Sequence, residues 1–154
     1  MSSRYLYLVR HGEATSTEED PERPLSESGK QATEQMAAWF ATTDFSVDEI
    51  RHSGKLRAQQ TAEIFAQRIS FAEHPIEAPG LAPNDNVRPM ADSLSRETKS
   101  VTLVGHLPFL AKLVGCLVAG DPEQTLVQFD PAGVVILQRG EGQWSIVCDR
   151  GSTR

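Results

Sequence analysis

Apolar residues fall along this chain in short unbroken runs, separated by stretches with helical spacing. Tyr5-Leu6-Tyr7-Leu8-Val9 is the first run. It is continuous rather than alternating, the pattern of a strand buried on both faces. Val101-Thr102-Leu103-Val104 is the second such run. Between them, Ala32, Met36, Trp39 and Phe40 stand at i, i+4, i+7 and i+8 and predict one helix face. Ser26 or Ser28 would cap that helix, and Ser28 with Gln31 fits a capping box. A short strand is predicted over 48–52. A second helix follows over 53–70, with Ala58, Ala62, Phe65 and Ile69 on one face.

Residues 13–25 and 73–86 read as loops, the latter with three prolines and a glycine. A short helix is predicted over 86–94. Pro108 suits the first turn of a helix that carries Leu110, Leu113, Val114, Leu117 and Val118. Gly120-Asp121-Pro122 would end it. Three further β-like runs cover 125–129, 133–138 and 144–148. The last two flank Gly140-Glu141-Gly142 as a hairpin. Strands alternating with helices predict a three-layer α/β/α sandwich. Its central sheet should be mostly parallel with an antiparallel edge strand.

Length and charge narrow the field. At 154 residues, one domain spanning 1–154 is expected. Lys plus Arg total 15 and Asp plus Glu 21, a net charge of −6. That balance argues against non-specific nucleic-acid binding, though a small basic pocket remains compatible with it. Two cysteines, Cys116 and Cys148, are too few for a disulfide framework or a four-ligand zinc site. No apolar run approaches the ~20 residues of a membrane-spanning helix, and no signal peptide is evident. A cytoplasmic enzyme or binding protein without membrane association is the expectation. Nothing in the pattern demands a dimer, so a monomer is favoured.

Three polar clusters each follow a predicted strand: Arg10-His11-Gly12-Glu13, His52-Ser53 through Arg57, and Gly105-His106. Open α/β sheets bind ligands at the carboxyl ends of their strands. Two histidines and two arginines distant in sequence should therefore meet in one pocket. Guanidinium forks match phosphate oxygens. A neutral imidazole is a competent nucleophile toward phosphorus, and nearby arginines would keep it neutral. A second histidine could donate to a phosphoryl oxygen or move a proton. The set accounts for phosphoryl transfer without a metal. Taken singly, each residue has a plainer reading: a chance tripeptide, a turn histidine, a solvated helix arginine. Their joint occurrence, in order and at strand ends, carries the argument.

In these segments the chain resembles the histidine phosphatase superfamily, the phosphoglycerate-mutase-like proteins. The matching stretches are Leu8-Val9-Arg10-His11-Gly12-Glu13-Ala14, Arg23-Pro24-Leu25-Ser26-Glu27-Ser28-Gly29, Ser53-Gly54-Lys55-Leu56-Arg57-Ala58-Gln59-Gln60-Thr61-Ala62 and Val104-Gly105-His106-Leu107-Pro108. The short length, the Arg-Pro-Leu segment and the Gly-His-Leu-Pro form look most like the SixA-type phosphohistidine phosphatases. The resemblance implies that His11 is the nucleophile and becomes transiently phosphorylated. It implies that Arg10 and Arg57 clamp the phosphoryl oxygens and that His106 completes the pocket. The backbone N–H of Leu107, near a helix N-terminus, could add a donor. No metal and no cofactor are implied.

One departure bears on the substrate. Many phosphomonoesterases of the superfamily carry a glutamate general acid in the loop after the second arginine motif. Here that loop reads Pro79-Gly80-Leu81-Ala82-Pro83-Asn84-Asp85. Asp85 and Glu13 are the candidates to stand in as the acid. An alkoxide leaving group needs a proton, and a positioned acid contributes ~10²–10⁴-fold. A phosphorylated imidazole leaves more easily and can leave protonated. The expected substrate is therefore phosphohistidine on a protein, such as a phosphotransfer domain or a phosphocarrier. The alternatives are a phosphatase of a small phosphomonoester and a phosphate-binding module without turnover.

Other motifs carry less. Cys148 and Arg154 have Cys-x5-Arg spacing, but no sequence remains for the helix such a loop requires. Gly54-Lys55 lacks the upstream glycine of a P-loop. His74, Cys116, Trp39 and Trp144 read as exposed or packing residues. His52 is read as structural, at the pocket edge.

Overall fold

The computed structural model describes residues 4–69 and 74–151. In chain order its elements are β1 (Arg4–Arg10), α1 (Glu27–Ala41), β2 (Glu49–His52), α2 (Leu56–Arg68) and β3 (Ile76–Glu77). They continue with α3 (Arg88–Arg96), β4 (Val101–Gly105), α4 (Phe109–Ala119), β5 (Val134–Gly140) and β6 (Gln143–Arg150). The strands form one sheet in the order β3-β2-β4-β1-β5-β6. β3, β2, β4 and β1 pair in parallel. β5 runs antiparallel to β1, and β6 antiparallel to β5. The antiparallel part of the sheet is thus a hairpin at one edge. Its two-residue turn holds Glu141 at φ 55° and Gly142 at φ 81°. Two positive φ values in succession are what a type I′ hairpin turn requires.

The continuous apolar runs are explained by burial on both sides. Leu6, Leu8, Val101, Leu103, Val135 and Leu137 meet Leu94 of α3 and Phe109, Leu110 and Leu113 of α4. The alternate residues Tyr7, Val9, Ile50, Val104, Val134 and Ile136 meet Met36, Ala37 and Phe40 of α1 and Ala58, Ala62 and Phe65 of α2. The sandwich therefore has two cores, one on each side of the sheet. Each fully buried large side chain in them contributes ~1.5–3 kcal/mol.

The structure selects one of the two predicted caps of α1 and departs from the sequence-based expectations at three places. Ser26, not Ser28, caps α1; its side chain accepts from the Gly29 N–H. The buried face of α1 is Gly29, Thr33, Met36, Ala37 and Phe40, one step round from the predicted stripe. Trp39 is only half-buried and lies under the Arg150 guanidinium, 4.6 Å from the ring centroid. The 73–86 loop contains β3, two residues long with Ile76 43% exposed, too short to leave a periodic signal.

The third departure is the predicted strand over 125–129, which pairs with nothing in the sheet. Val127 and Phe129 do point inward, which gives the segment its strand-like alternation. Its backbone serves another purpose, described below. The predicted end of the second helix at Ser70 and the start of the following loop at Glu73 lie outside the described residues, as do residues 152–154.

Candidate active site

Sheet register assembles the site. Arg10 stands opposite Gly105, and His52 opposite Val104. The ends of β1, β4 and β2 are thus level, and the residues leaving them converge. His11 donates its backbone N–H to the Gly105 carbonyl at 3.0 Å. Its own carbonyl accepts from Ala132 N–H at 3.2 Å. The His11 and His106 rings come to lie 4.9 Å apart between centroids, tilted by 50°.

The turn after His11 is clamped by two helices. Gly12 N–H donates to Thr61 Oγ1 of α2 at 3.0 Å, and Thr61 in turn donates to the Arg57 carbonyl. On the other side a Cβ at Gly12 would stand 2.5 Å from Thr33 Oγ1 of α1, so only glycine fits. The loop that follows is tied down by Gln60, whose Oε1 accepts the Leu25 N–H at 2.8 Å.

The imidazole of His11 is oriented by its own turn. Nδ1 lies 2.7 Å from the Gly12 carbonyl. A carbonyl only accepts, so Nδ1 carries the proton and Nε2 keeps its lone pair. Burial lowers the His11 pKa to about 4; the Gly12 hydrogen bond opposes this, and the charges of Arg57, Arg10 and Arg23 reinforce it. His106 is 1% exposed. Burial, then His11, Arg57, Lys55 and Arg10, bring its pKa down to about 3. Both rings are neutral at pH 7.

The two arginines leave donors over, and Arg10 is held by a backbone carbonyl. Arg10 Nη1 donates to the Phe129 carbonyl at 2.9 Å. This is the use made of the unpaired 125–129 segment: it wraps the site and orients Arg10. Arg10 Nε, Arg57 Nε and His106 Nδ1 are buried without a protein partner. The two guanidinium N–H groups are donors left open near a neutral nucleophile, and such donors are suited to the oxygens of a phosphoryl group. Arg57 stays charged although burial and Arg23 lower its pKa, because guanidinium starts so high.

The remaining sequence-derived candidates lie as follows. Leu107 sits between β4 and α4 and packs its side chain on the α3–α4 core. The Glu13 carboxylate accepts from Ser28 Oγ at 2.8 Å and Ser26 Oγ at 3.0 Å, at the start of α1. Those bonds lower its pKa and favour the ionised form. Asp85 accepts the Ala82 N–H at 3.0 Å within its own loop. Each carboxylate thus has hydrogen-bond partners of its own. His52 accepts the Gly54 N–H on Nδ1 at 3.0 Å and shapes the turn into α2. Cys148 lies in β6 with its thiol pKa raised by burial, the reverse of an activated nucleophile. The guanidiniums of Arg4 and Arg139 lie over the Trp144 ring, 5.3 and 5.9 Å from its centroid.

Three participants went unassigned in the sequence. Arg23 depresses the His11 pKa and holds Thr15 O through Nε, with its backbone at φ 51°. A non-glycine residue in the left-handed region is uncommon and concentrates at functional sites. Its place in the Arg-Pro-Leu segment was the available signal. The Thr61 hydroxyl holds a backbone N–H and Phe129 acts through its own carbonyl, and sequence motifs do not display such backbone contacts.

The model of the histidine phosphatase superfamily (branch 1) matches residues 6–83. The phosphohistidine phosphatase SixA of Escherichia coli strain K12 is 26% identical over 145 residues, covering 91% of this chain and 90% of that protein. An uncharacterized protein of Picosynechococcus sp. is 32% identical over 142 residues, covering 88% and 85%. The structure of the protein histidine phosphatase SixA complexed with tungstate superposes with a TM-score of 0.85 at 24% identity, over 97% of both chains.

Proposed function

The chain belongs to the histidine phosphatase superfamily (branch 1), and from that membership and the site together we infer that it is a metal-independent phosphatase acting through a phosphohistidine intermediate. Its proposed substrate is phosphohistidine on a protein, such as a phosphotransfer domain or a phosphocarrier. The observation that carries the reading is the neutral His11, with Nδ1 committed to Gly12 and its Nε2 lone pair kept, near Arg10 and Arg57, whose Nε–H donors are without a protein partner.

In the proposed reaction His11 Nε2 attacks phosphorus while Arg10, Arg57 and His106 hold the equatorial oxygens. The P–N bond of the substrate breaks, and its electron pair returns to the partner's imidazole. A proton already on that ring's other nitrogen makes it a neutral leaving group. Water then cleaves phospho-His11, releasing inorganic phosphate and restoring the free imidazole. The Leu107 N–H at the approach to α4 is a further proposed donor. The substrate class is supported by the carboxylates: Glu13 is held ionised by two serines, and Asp85 caps its own loop. An N–P substrate makes the least demand on such groups. It is also supported by the likeness to SixA. No described helix is long and apolar enough to cross a membrane; a cytoplasmic location is part of the proposal.

The test is a paired assay without added metal. Wild type and His11→Ala each receive a histidine-phosphorylated protein and an aryl phosphate ester. The reading expects phosphohistidine to be cleaved much faster than the ester, and both activities to be lost in His11→Ala. Faster ester cleavage that still needs His11 would move the substrate to a small molecule. Phosphate binding with no turnover on either substrate would favour a binding module.

A further inference from the structure

The second histidine has an unusual partner. His106 Nε2 lies 2.6 Å from Ser53 Oγ, while its Nδ1 is buried with no partner. Ser53 leaves β2 just as His106 leaves β4, and the sheet register brings the two side chains together. Ser53 Oγ is also 3.4 Å from the backbone N–H of Lys55, at the start of α2. A backbone N–H can only donate. It therefore occupies a lone pair on Ser53 Oγ and leaves the hydroxyl proton to find an acceptor. His106 Nε2 is the acceptor within reach.

We propose that Ser53 is a positioning residue that fixes His106 as the Nδ1–H tautomer. The Lys55 N–H donates to Ser53 Oγ, the Ser53 hydroxyl donates to His106 Nε2, and His106 Nδ1–H is left as a donor for a phosphoryl oxygen. The opposite assignment would place a bare Nδ1 lone pair against that oxygen. Protonating both nitrogens would remove the conflict, but Arg57, Lys55 and Arg10 around the ring oppose a further positive charge. The neutral ring must then donate from the nitrogen that Ser53 does not hold.

Both site histidines thus carry their proton on Nδ1 and use it in opposite ways. His11 ties that proton to Gly12 O and presents the Nε2 lone pair. His106 ties its Nε2 lone pair to Ser53 and presents the Nδ1 proton. The catalytic consequence rests on the phosphatase reading; the tautomer does not.

The test separates the two. In the full chain labelled with ¹⁵N-histidine, long-range ¹H–¹⁵N correlation at pH 7 reads the His106 tautomer, with and without inorganic phosphate. His106→Asn identifies the signal. The inference expects a protonated-type Nδ1 and an acceptor-type Nε2 in wild type. Ser53→Ala should convert the ring to the other tautomer or a mixture, and Ser53→Thr should restore the wild-type pattern. In turnover, Ser53→Ala should lower kcat between about 10- and 100-fold, as for other losses of positioning. Ser53→Thr should recover most of it. A protonated-type Nε2 at His106 in wild type overturns the proposal. So does a tautomer unchanged in Ser53→Ala. If the tautomer behaves as expected and no phosphorylated substrate turns over, the phosphatase reading fails and the assignment of Ser53 stands.

Discussion

The carbonyl oxygen of Glu13 occupies the place where a Cβ on Gly29 would lie, 2.0 Å from that position. Gly29 is the third residue of α1, and Glu13 is two residues beyond His11. The helix and the nucleophile loop touch backbone to backbone. Gly29→Ala should raise helix propensity by about 1 kcal/mol in isolation. Overpacking costs about 1–3 kcal/mol and more where backbone cannot yield, so a net loss of stability is expected. Activity should fall with it, because the loop that carries His11 is displaced. Gly140→Ala, where a Cβ meets nothing within 4 Å, is the control and should leave the denaturant midpoint nearly unchanged.

Thr61 holds the other side of the same turn. Thr61→Val keeps the shape but leaves the buried Gly12 N–H without its acceptor. An unsatisfied buried donor costs about 1–3 kcal/mol. Thr61→Ser should keep most of the wild-type stability and turnover. Urea melts and initial rates on the three proteins check this; equal values for Thr61→Val and Thr61→Ser would contradict it.

Much of this was legible in the sequence, for identifiable reasons. β1 and β4 are central in the sheet, so both faces are apolar and the runs at 5–9 and 101–104 are unbroken. The hairpin turn announces itself through Gly142. The pairing of Arg10 and His11 with His106 follows from parallel strands ending at one level. What was hidden depends on backbone and on local competition. Ser26 and Ser28 are both possible caps as sequence, and both hydroxyls bond Glu13, but only Ser26 Oγ accepts the Gly29 N–H. The 125–129 segment has strand periodicity because Val127 and Phe129 are buried, yet the Phe129 carbonyl is needed by Arg10. Arg23 enters the site from a loop, where no periodic pattern marks its direction.

Neutral buried histidines give stability a definite pH dependence. The folded values of His11 and His106, about 4 and about 3, lie below the ordinary 6.5. Between 6.5 and those values the unfolded chain takes up protons that the folded chain does not. Stability should therefore decline as pH falls below 6.5, and these groups should contribute no slope above it. Each proton corresponds to at most about 1.4 kcal/mol per pH unit. Replacing both residues with Asn should flatten the dependence between pH 6.5 and 5, read from urea unfolding at each pH. A slope unchanged in the double variant would contradict the assignment.

At the opposite end of the sheet, Glu49 supports the fold electrostatically. Its carboxylate meets Arg51 Nε at 2.5 Å and Lys99 Nζ at 3.2 Å, and Arg51 also reaches Glu97 at 2.5 Å. Burial alone would raise the Glu49 pKa, but the hydrogen bonds from Arg51 and Lys99 outweigh it and the net shift is downward. The stabilisation is therefore present above the ordinary 4.5 and is lost as pH falls through the lower folded value. Glu49→Gln should cost about 1.5–3 kcal/mol at pH 7, the range for a hydrogen bond to a charged group. Its stability should approach that of wild type at pH 3. A constant difference between pH 7 and pH 3 would show that the charge is not what matters.

The central claim is that His11 Nε2 takes the phosphoryl group. The most direct measurement is a rapid alkaline quench of the enzyme during turnover of a ³²P-phosphohistidine protein, followed by peptide mapping. Alkali preserves phosphoramidates, so a trapped intermediate survives. The account predicts label on the peptide containing His11, stable to base and lost in acid, and absent from His11→Ala. Label on another residue, or unimpaired turnover by His11→Ala, would contradict it.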